Sequence, residues 1–301
     1  MRWPPRVEAA VLLAAGVAVG TLADRIPSRQ SISAGDYRML SGDFHVHAFP
    51  GDGALAPWAL RDEAARAGLD VIVVTNHNQT FTGRLAGWVS RSGIGPLMLS
   101  GQEITHPEYH MIAVGIHATV NPNQSAAGAI ADVHAQGGVA IAAHPSRRFR
   151  GYDAEGTVAL LDGVEAVHSF GHQDSEFRAD LSAFYSRARR INQDVAAIGS
   201  SDFHGMPPPM GRCRTYLFVR ERSREGVLDA IRDGRTLAVD GDGGLTGDPR
   251  LIALLGDKHP VGRSDPHPTW RRVSLAAAWL GALGLIVFGE PVRTKPSRTK
   301  N

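Results

Sequence analysis

Residues Gly42 to Gly53 read GDFHVHAFPGDG. His45 and His47 stand two apart in a short extended run, and residues i and i+2 of a strand project from one face. Both imidazoles can therefore reach one metal ion. Asp52 follows between Gly51 and Gly53, just after Pro50, a turn composition that lets the chain fold a carboxylate back over the strand end. A third ligand is thus close by.

Outward from this stretch, short apolar runs alternate with helical patterns, which predicts a mostly parallel sheet or barrel. Phe44 to Val46 is the first strand. Pro57 to Ala67 is a helix with Leu60, Ala64 and Ala67 on one face, stopped by Gly68. Val71 to Thr75 (VIVVT) is a buried strand with His77 close behind it, Leu97 to Leu99 leads to Glu103, and His110 opens the strand MIAVGI. Asn123 to Gln136 reads as a helix ended by Gly137 and Gly138. Val139 to Ala143 then delivers His144, with Pro145 barring continuation. Gly163 to Val167 is a short strand and Ser175 to Asn192 a long basic amphipathic helix. Ala196 to Ile198 runs into GSSDFHG, which delivers Asp202 and His204. A strand, a helix and a strand over Thr215 to Val219, Glu225 to Arg232 and Thr236 to Val239 close a domain spanning 40–255.

The 301 residues, 43% of them hydrophobic, suffice for a large α/β core. A net charge of +2 gives no field that would draw nucleic acid, and none is expected as a partner. The single cysteine, Cys213, excludes an internal disulfide and a cysteine zinc cluster. Any metal must be held by histidine and carboxylate, and the 13 histidines exceed what packing needs.

Both chain ends are apolar. Val7 to Ala23 lies within an N-terminal segment, 1–24, that reads equally as a cleaved signal peptide or as a membrane anchor, with Arg2 and Arg6 as its charged start. Val273 to Gly289 reads as a transmembrane helix after a Pro-rich linker, 256–272. Arg271 and Arg272 precede it, and a basic tail, 290–301, carries Arg293, Lys295, Arg298 and Lys300. The bilayer is the expected partner of these ends. Basic residues outside both apolar segments, together with the signal-like start, predict an extracytoplasmic domain.

Candidate ligands His45, His47, His77, Glu103, His144, Asp202 and His204 lie in or just past predicted strands, and Asp52 lies in the loop after the first. His110 falls at a strand start. In parallel α/β folds the strands' carboxyl ends line one rim, where sites are built from loops on a rigid frame. Six imidazoles and three carboxylates are enough for about three divalent ions if one carboxylate bridges. Glu103 is the best bridge, since a carboxylate offers oxygens to two ions. Three such ions against three carboxylates leave roughly +3, which favours an anionic substrate such as a phosphate ester. Histidine and carboxylate suit zinc, manganese or iron alike.

In order, HVH with Asp52, TNH ending at His77, GQE ending at Glu103, His110, AHP at His144 and SDFH from Asp202 to His204 resemble the polymerase and histidinol phosphatase (PHP) family of metal-dependent phosphoesterases. The resemblance covers about Ser41 to Gly205. It implies a distorted (β/α)7 barrel, here with hydrophobic helices flanking it at both chain ends. It also implies a first ion on His45, His47, Glu103 and Asp202, a second sharing Glu103 with His110 and His144, and a third on Asp52, His77 and His204. Glu103, Asp202 and His204 are the residues expected to carry the chemistry, in which metal-bound water of lowered pKa attacks phosphorus. Asn76 departs from the usual aspartate, and His168 stands where an asparagine is common. His168, His172, Arg212 and Arg214 are candidate substrate contacts, the arginines because they can pair bidentately with phosphate.

Two other readings use the same site. The stretch VLDAIRDGRTLAVDGDGG is similar to a PHP-like subset that hydrolyses carboxylic or carbamic esters, and a domain keeping metal without catalysis is the other. A chain that had lost catalysis should show gaps among its ligands, and none is present. A proofreading exonuclease lacks support, because the chain has no basic or aromatic tract to bind a strand.

Overall fold

Residues 3–23, 32–90, 95–172, 174–205, 207–257 and 268–288 are described by the computed structural model. They belong to two units, one formed by the chain ends and one by the span 29–264. The first unit holds two helices, α1 (Pro5–Ala23) and α8 (Pro268–Phe288). Within α1, Pro5–Leu22 is long and apolar enough to cross a membrane, while the apolar stretch Arg272–Phe288 of α8 is shorter. Most of the expected linker, 258–267, and the basic tail lie outside the described residues.

The second unit is an α/β fold. A short β1 (Ile32–Ala34) leads into β2 (Tyr37–Val46), then α2 (Pro57–Arg66), β3 (Val71–Val74), α3 (Phe81–Ser90), β4 (Leu97–His106) and β5 (Tyr109–Val114). There follow α4 (Ala126–Ala135), β6 (Val139–Ala142), β7 (Gly163–His168), α5 (Ser175–Ile191), β8 (Ala196–Ser200) and β9 (Arg214–Val219). The unit ends with α6 (Arg224–Arg232), β10 (Thr236–Val239), β11 (Leu245–Gly247) and α7 (Pro249–Leu255). One sheet runs β11-β10-β9-β2-β3-β4-β5-β6-β7-β8, with β1 paired to β2 at its side. Phe203, just past β8, forms a parallel bridge with Val46 of β2, and the His47 N–H donates to its carbonyl at 2.9 Å. The far end of the sheet thus returns to β2, and the barrel is nearly closed.

The continuous apolar run of β3 is explained by burial on both faces. Val71 and Val73 join a cluster with Leu99, Ile141, Ile198 and Leu217, while Ile72 and Val74 pack with Leu60 and Ala64 of α2 and Ala86 of α3. On the opposite flank, Ile130 and Val133 of α4 and Tyr185 of α5 pack over Ala140 and Val164.

The expected (β/α)7 barrel is met only in this coarser form, because the sheet is mixed. Strands β2-β3, β3-β4, β6-β7 and β7-β8 pair in parallel, but β4-β5 and β5-β6 are antiparallel. The cause is local. Only Pro107 and Glu108 separate β4 from β5, too short a link for a parallel crossover. The strand carrying His110 therefore runs backwards, and its start reaches the rim where the parallel strands end.

Candidate metal centre

All the candidate ligands lie at that rim. His45 Nε2 is 3.3 Å from Glu103 Oε2 and 3.2 Å from Asp202 Oδ1, and His47 Nε2 is 3.5 Å and 3.1 Å from the same two oxygens. These four atoms are buried and none makes a well-aligned hydrogen bond, although Glu103 Oε2 also lies 2.8 Å from His77 Nδ1. Leaving one such atom unsatisfied costs about 1–3 kcal/mol, so four around one point call for a shared partner. A tetrahedron's edge is about 1.6 times its centre-to-corner distance, so bonds of ~2.0–2.1 Å set ligands ~3.3–3.4 Å apart. The four His–carboxylate separations, 3.1–3.5 Å, are near that edge.

Two further groups adjoin the first. The other Glu103 oxygen, Oε1, is 2.8 Å from His110 Nδ1 and 3.2 Å from His144 Nε2. Asp52 Oδ2 lies 3.1 Å from His77 Nε2 and 3.2 Å from His204 Nε2. His47, Asp52, His77 and His204, then His45, His47 and Glu103, then Glu103, His110 and His144 are each close enough to hold a metal ion. Glu103 is 1% exposed and His77 41%. The two groups that share Glu103 are thus deep in the rim, and the Asp52 group opens to solvent.

Local backbone explains the placement. Gly53 lies so close to the carbonyl of His47 that a Cβ there would collide with it, which is how the turn brings Asp52 over the strand end. Asp52 Oδ1 then accepts from His47 Nδ1 at 3.0 Å. That bond holds its carboxyl below the usual range and turns His47 Nε2 toward the first group. His144 and Asp202 have φ of 29° and 54°, left-handed values unusual for residues with a side chain. Such strain costs about 1–3 kcal/mol per residue and collects at functional sites.

Two site residues escape a sequence reading. Glu165 of β7 is fully buried, and its Oε1 accepts from His45 Nδ1 at 3.0 Å while Oε2 accepts the His144 N–H at 2.6 Å. Burial alone would raise its carboxyl, but the neighbouring His45 outweighs that and it settles at about 2. The proton is thereby kept on His45 Nδ1, and Nε2 faces the first group. Asp43 is also fully buried and accepts from the N–H groups of Ser201 and Gly211 and from the Ser201 hydroxyl, tying β2 to the loop that carries Asp202. Burial raises it to about 6 against those bonds. The available signal was a lone acid inside an apolar strand, which must have a buried partner.

The expected substrate contacts are scattered. His168 is 2% exposed, behind Asp202, with Nε2 3.9 Å from Asp202 Oδ2, and burial lowers its pKa to about 4. Its Nδ1 accepts the Phe170 N–H at 3.4 Å. The Arg214 guanidinium donates to the carbonyls of Gly211 and Ala67, and Arg212 lies against Gly241. The His172 side chain lies outside the described residues. One exposed cation not singled out in the sequence does sit at the rim. Arg148 lies over the Phe149 ring at 4.9 Å, and that ring is 4.8 Å from His110.

No protein-family model and no curated protein matches the chain. Among solved structures, a two-domain protein of Bacteroides vulgatus containing a predicted PHP-like metal-dependent phosphoesterase superposes with TM-score 0.61 at 24% identity, covering 78% of this chain and 74% of its own. It shares the fold. A candidate metal-dependent phosphoesterase of Bifidobacterium adolescentis gives TM-score 0.44 at 22% identity, covering 56% of this chain and 90% of its own. An amidohydrolase of Chromobacterium violaceum with bound sulfate and no metal gives 0.45 at 16%, covering 56% and 89%. These last two superpose too loosely to argue from.

Proposed function

We propose that the chain is a membrane-anchored phosphoesterase of the PHP family, with about three divalent ions held by His45, His47, Asp52, His77, Glu103, His110, His144, Asp202 and His204. The observation that carries this is the cluster of buried His45, His47, Glu103 and Asp202 atoms that make no well-aligned hydrogen bond and lie 3.1–3.5 Å apart across each His–carboxylate pair, with Glu103 turning its second oxygen to another imidazole pair. Zinc, manganese or iron bound there would supply Lewis-acid polarisation and lower the pKa of water.

The protein's own groups set up the rest. Glu165 and Asp52 hold the protons of His45 and His47 on Nδ1, so that both Nε2 atoms face the first group. Glu103 fixes the spacing of the first and second groups. Asp202 commits Oδ1 to the first group, while its Oδ2 faces the buried His168 at 3.9 Å. Arg148 at the rim would pair with a non-bridging phosphate oxygen.

Turnover tests the substrate class. Protein purified with its metal should hydrolyse a phosphate ester far faster than a neutral aryl ester. The reverse order would assign the site to carboxylic or carbamic esters, and no turnover of either would leave a metal-keeping domain.

The same reading places the catalytic domain outside the cytoplasm. Protease added to intact cells stripped of any outer wall should digest it. Digestion only after lysis would place it inside.

A further inference from the structure

The two terminal helices fit one another closely. A Cβ on Gly16 of α1 would stand 2.5 Å from the backbone nitrogen of Ala278 and 2.8 Å from the Ser274 carbonyl of α8. On Gly281 it would stand 2.7 Å from the Ala9 carbonyl, and on Gly284 it would stand 2.8 Å from the Ala9 Cβ. Real Cβ atoms do not approach so near, so each glycine is what allows the backbones to meet. Residue numbers fall along α8 as they rise along α1, from Ala9 beside Gly284 to Gly20 beside Ser274. The helices are therefore antiparallel, and Ala9 and Ser274 are buried between them.

We propose that α1 and α8 form one two-span membrane anchor, closed by this glycine seam, and that the N-terminal segment is therefore retained rather than cleaved. The proposal rests on the membrane part of the reading above and is indifferent to what the site hydrolyses. The outward faces support lipid as the surrounding medium. Val17, Leu22, Leu275, Trp279, Ile286 and Val287 are all exposed, whereas water-soluble helices turn such residues inward. In a bilayer, helices associate through small residues that admit close backbone contact, with larger apolar residues left to the lipid.

The polar groups obey the same medium. The Thr21 hydroxyl donates to the Val17 carbonyl at 2.8 Å within its own helix, as a hydroxyl in hydrocarbon must. Exposed Trp3 and Trp270 sit near the N-terminal ends of the two helices, hence at opposite ends of an antiparallel pair. That is where an aromatic belt marks each interface. At 19 and 21 residues the helices run about 28 and 31 Å, against a hydrocarbon core of about 30 Å. The apolar part of α8 is shorter, and Arg272 in its first turns would reach back to the headgroups.

The test uses the full chain in its membrane. The double substitution Gly20→Cys with Ser274→Cys sets two Cβ atoms 3.6 Å apart across the seam, within disulfide reach, and Leu22→Cys with Ser274→Cys is the lipid-facing control. After oxidation of membranes the first pair should cross-link and the control should not. The membrane-held protein should have an intact mass that includes residues 1–23. Adding Gly281→Leu should abolish the cross-link while leaving the chain in the membrane. A membrane-held chain lacking its first residues would overturn the proposal, and so would an intact chain whose first pair fails to cross-link. Release of a cross-linked chain by alkaline carbonate would overturn the bilayer placement itself, an outcome distinct from the other two.

Discussion

Glu165 has no ligand role in this account, yet two site residues depend on it. By accepting from His45 Nδ1 and the His144 backbone it sets both the tautomer of one imidazole and the place of the other. Removing such a support commonly costs a metal site about 10–100-fold in affinity. Glu165→Gln should therefore weaken metal binding by that order while the apo protein keeps its fold, measured by competition with a chelator. Unchanged affinity would leave His45 oriented by packing alone. Arg148 is exposed and held over Phe149, and the proposed function has it meet the substrate's phosphate. Arg148→Ala should raise KM for an anionic phosphate ester about tenfold, or ~1.4 kcal/mol, with kcat little changed. An equal effect on a neutral ester would argue against charge recognition. That the candidate ligands gather at one rim was legible, because histidines and acids rarely recur at strand ends by chance. Glu165 and Asp43 were not, since the partners that explain them are remote in sequence.

At the scale of elements, strong local patterns were legible. The helix expected over Pro57 to Ala67 forms as Pro57–Arg66, and the one expected over Ser175 to Asn192 forms as Ser175–Ile191. The helix read from Asn123 starts instead at Ala126, because the Ser125 hydroxyl caps it by accepting the Gly128 N–H. Helix α3 was missed, since Thr82, Gly83 and Gly87 weaken its propensity and only packing against the sheet selects it. The direction of β5 was missed as well, because strand pairing is decided by partners and connection length. Helix α4 also carries a testable clasp. His134 Nε2 is 2.7 Å from Asp162 Oδ2, and that bond raises the His134 pKa. A raised imidazole stabilises the fold below its unfolded value of about 6.5, and the contribution is lost as pH rises through the folded value. The pair is partly exposed, so screening limits it to about 0.5 kcal/mol. His134→Ala should lower stability at pH 5 by that amount and leave it nearly unchanged at pH 9, in denaturant titrations. Equal losses at both values would point to packing instead.

For the whole molecule, the candidate metal groups join distant parts of the chain. Glu103 of β4, His110 of β5, and residues after β2, β3, β6 and β8 all meet at one rim. Ions bound there would tie the barrel across its closure. With free ion at about 100 times its dissociation constant, one site adds ~2.7 kcal/mol to folding stability. Stripping with a chelator should accordingly lower Tm by several degrees, and restoring the ion should reverse this. An unchanged Tm would mean that the rim is held by hydrogen bonds alone. The central claim is that Glu103 joins two ions within a three-ion cluster, and the most direct test is the metal content of native protein beside Glu103→Gln, which keeps the side chain's shape. Elemental analysis of folded samples should give close to three ions per native chain and about one in the variant. A native chain with one ion or none, or a variant with undiminished content, would contradict it.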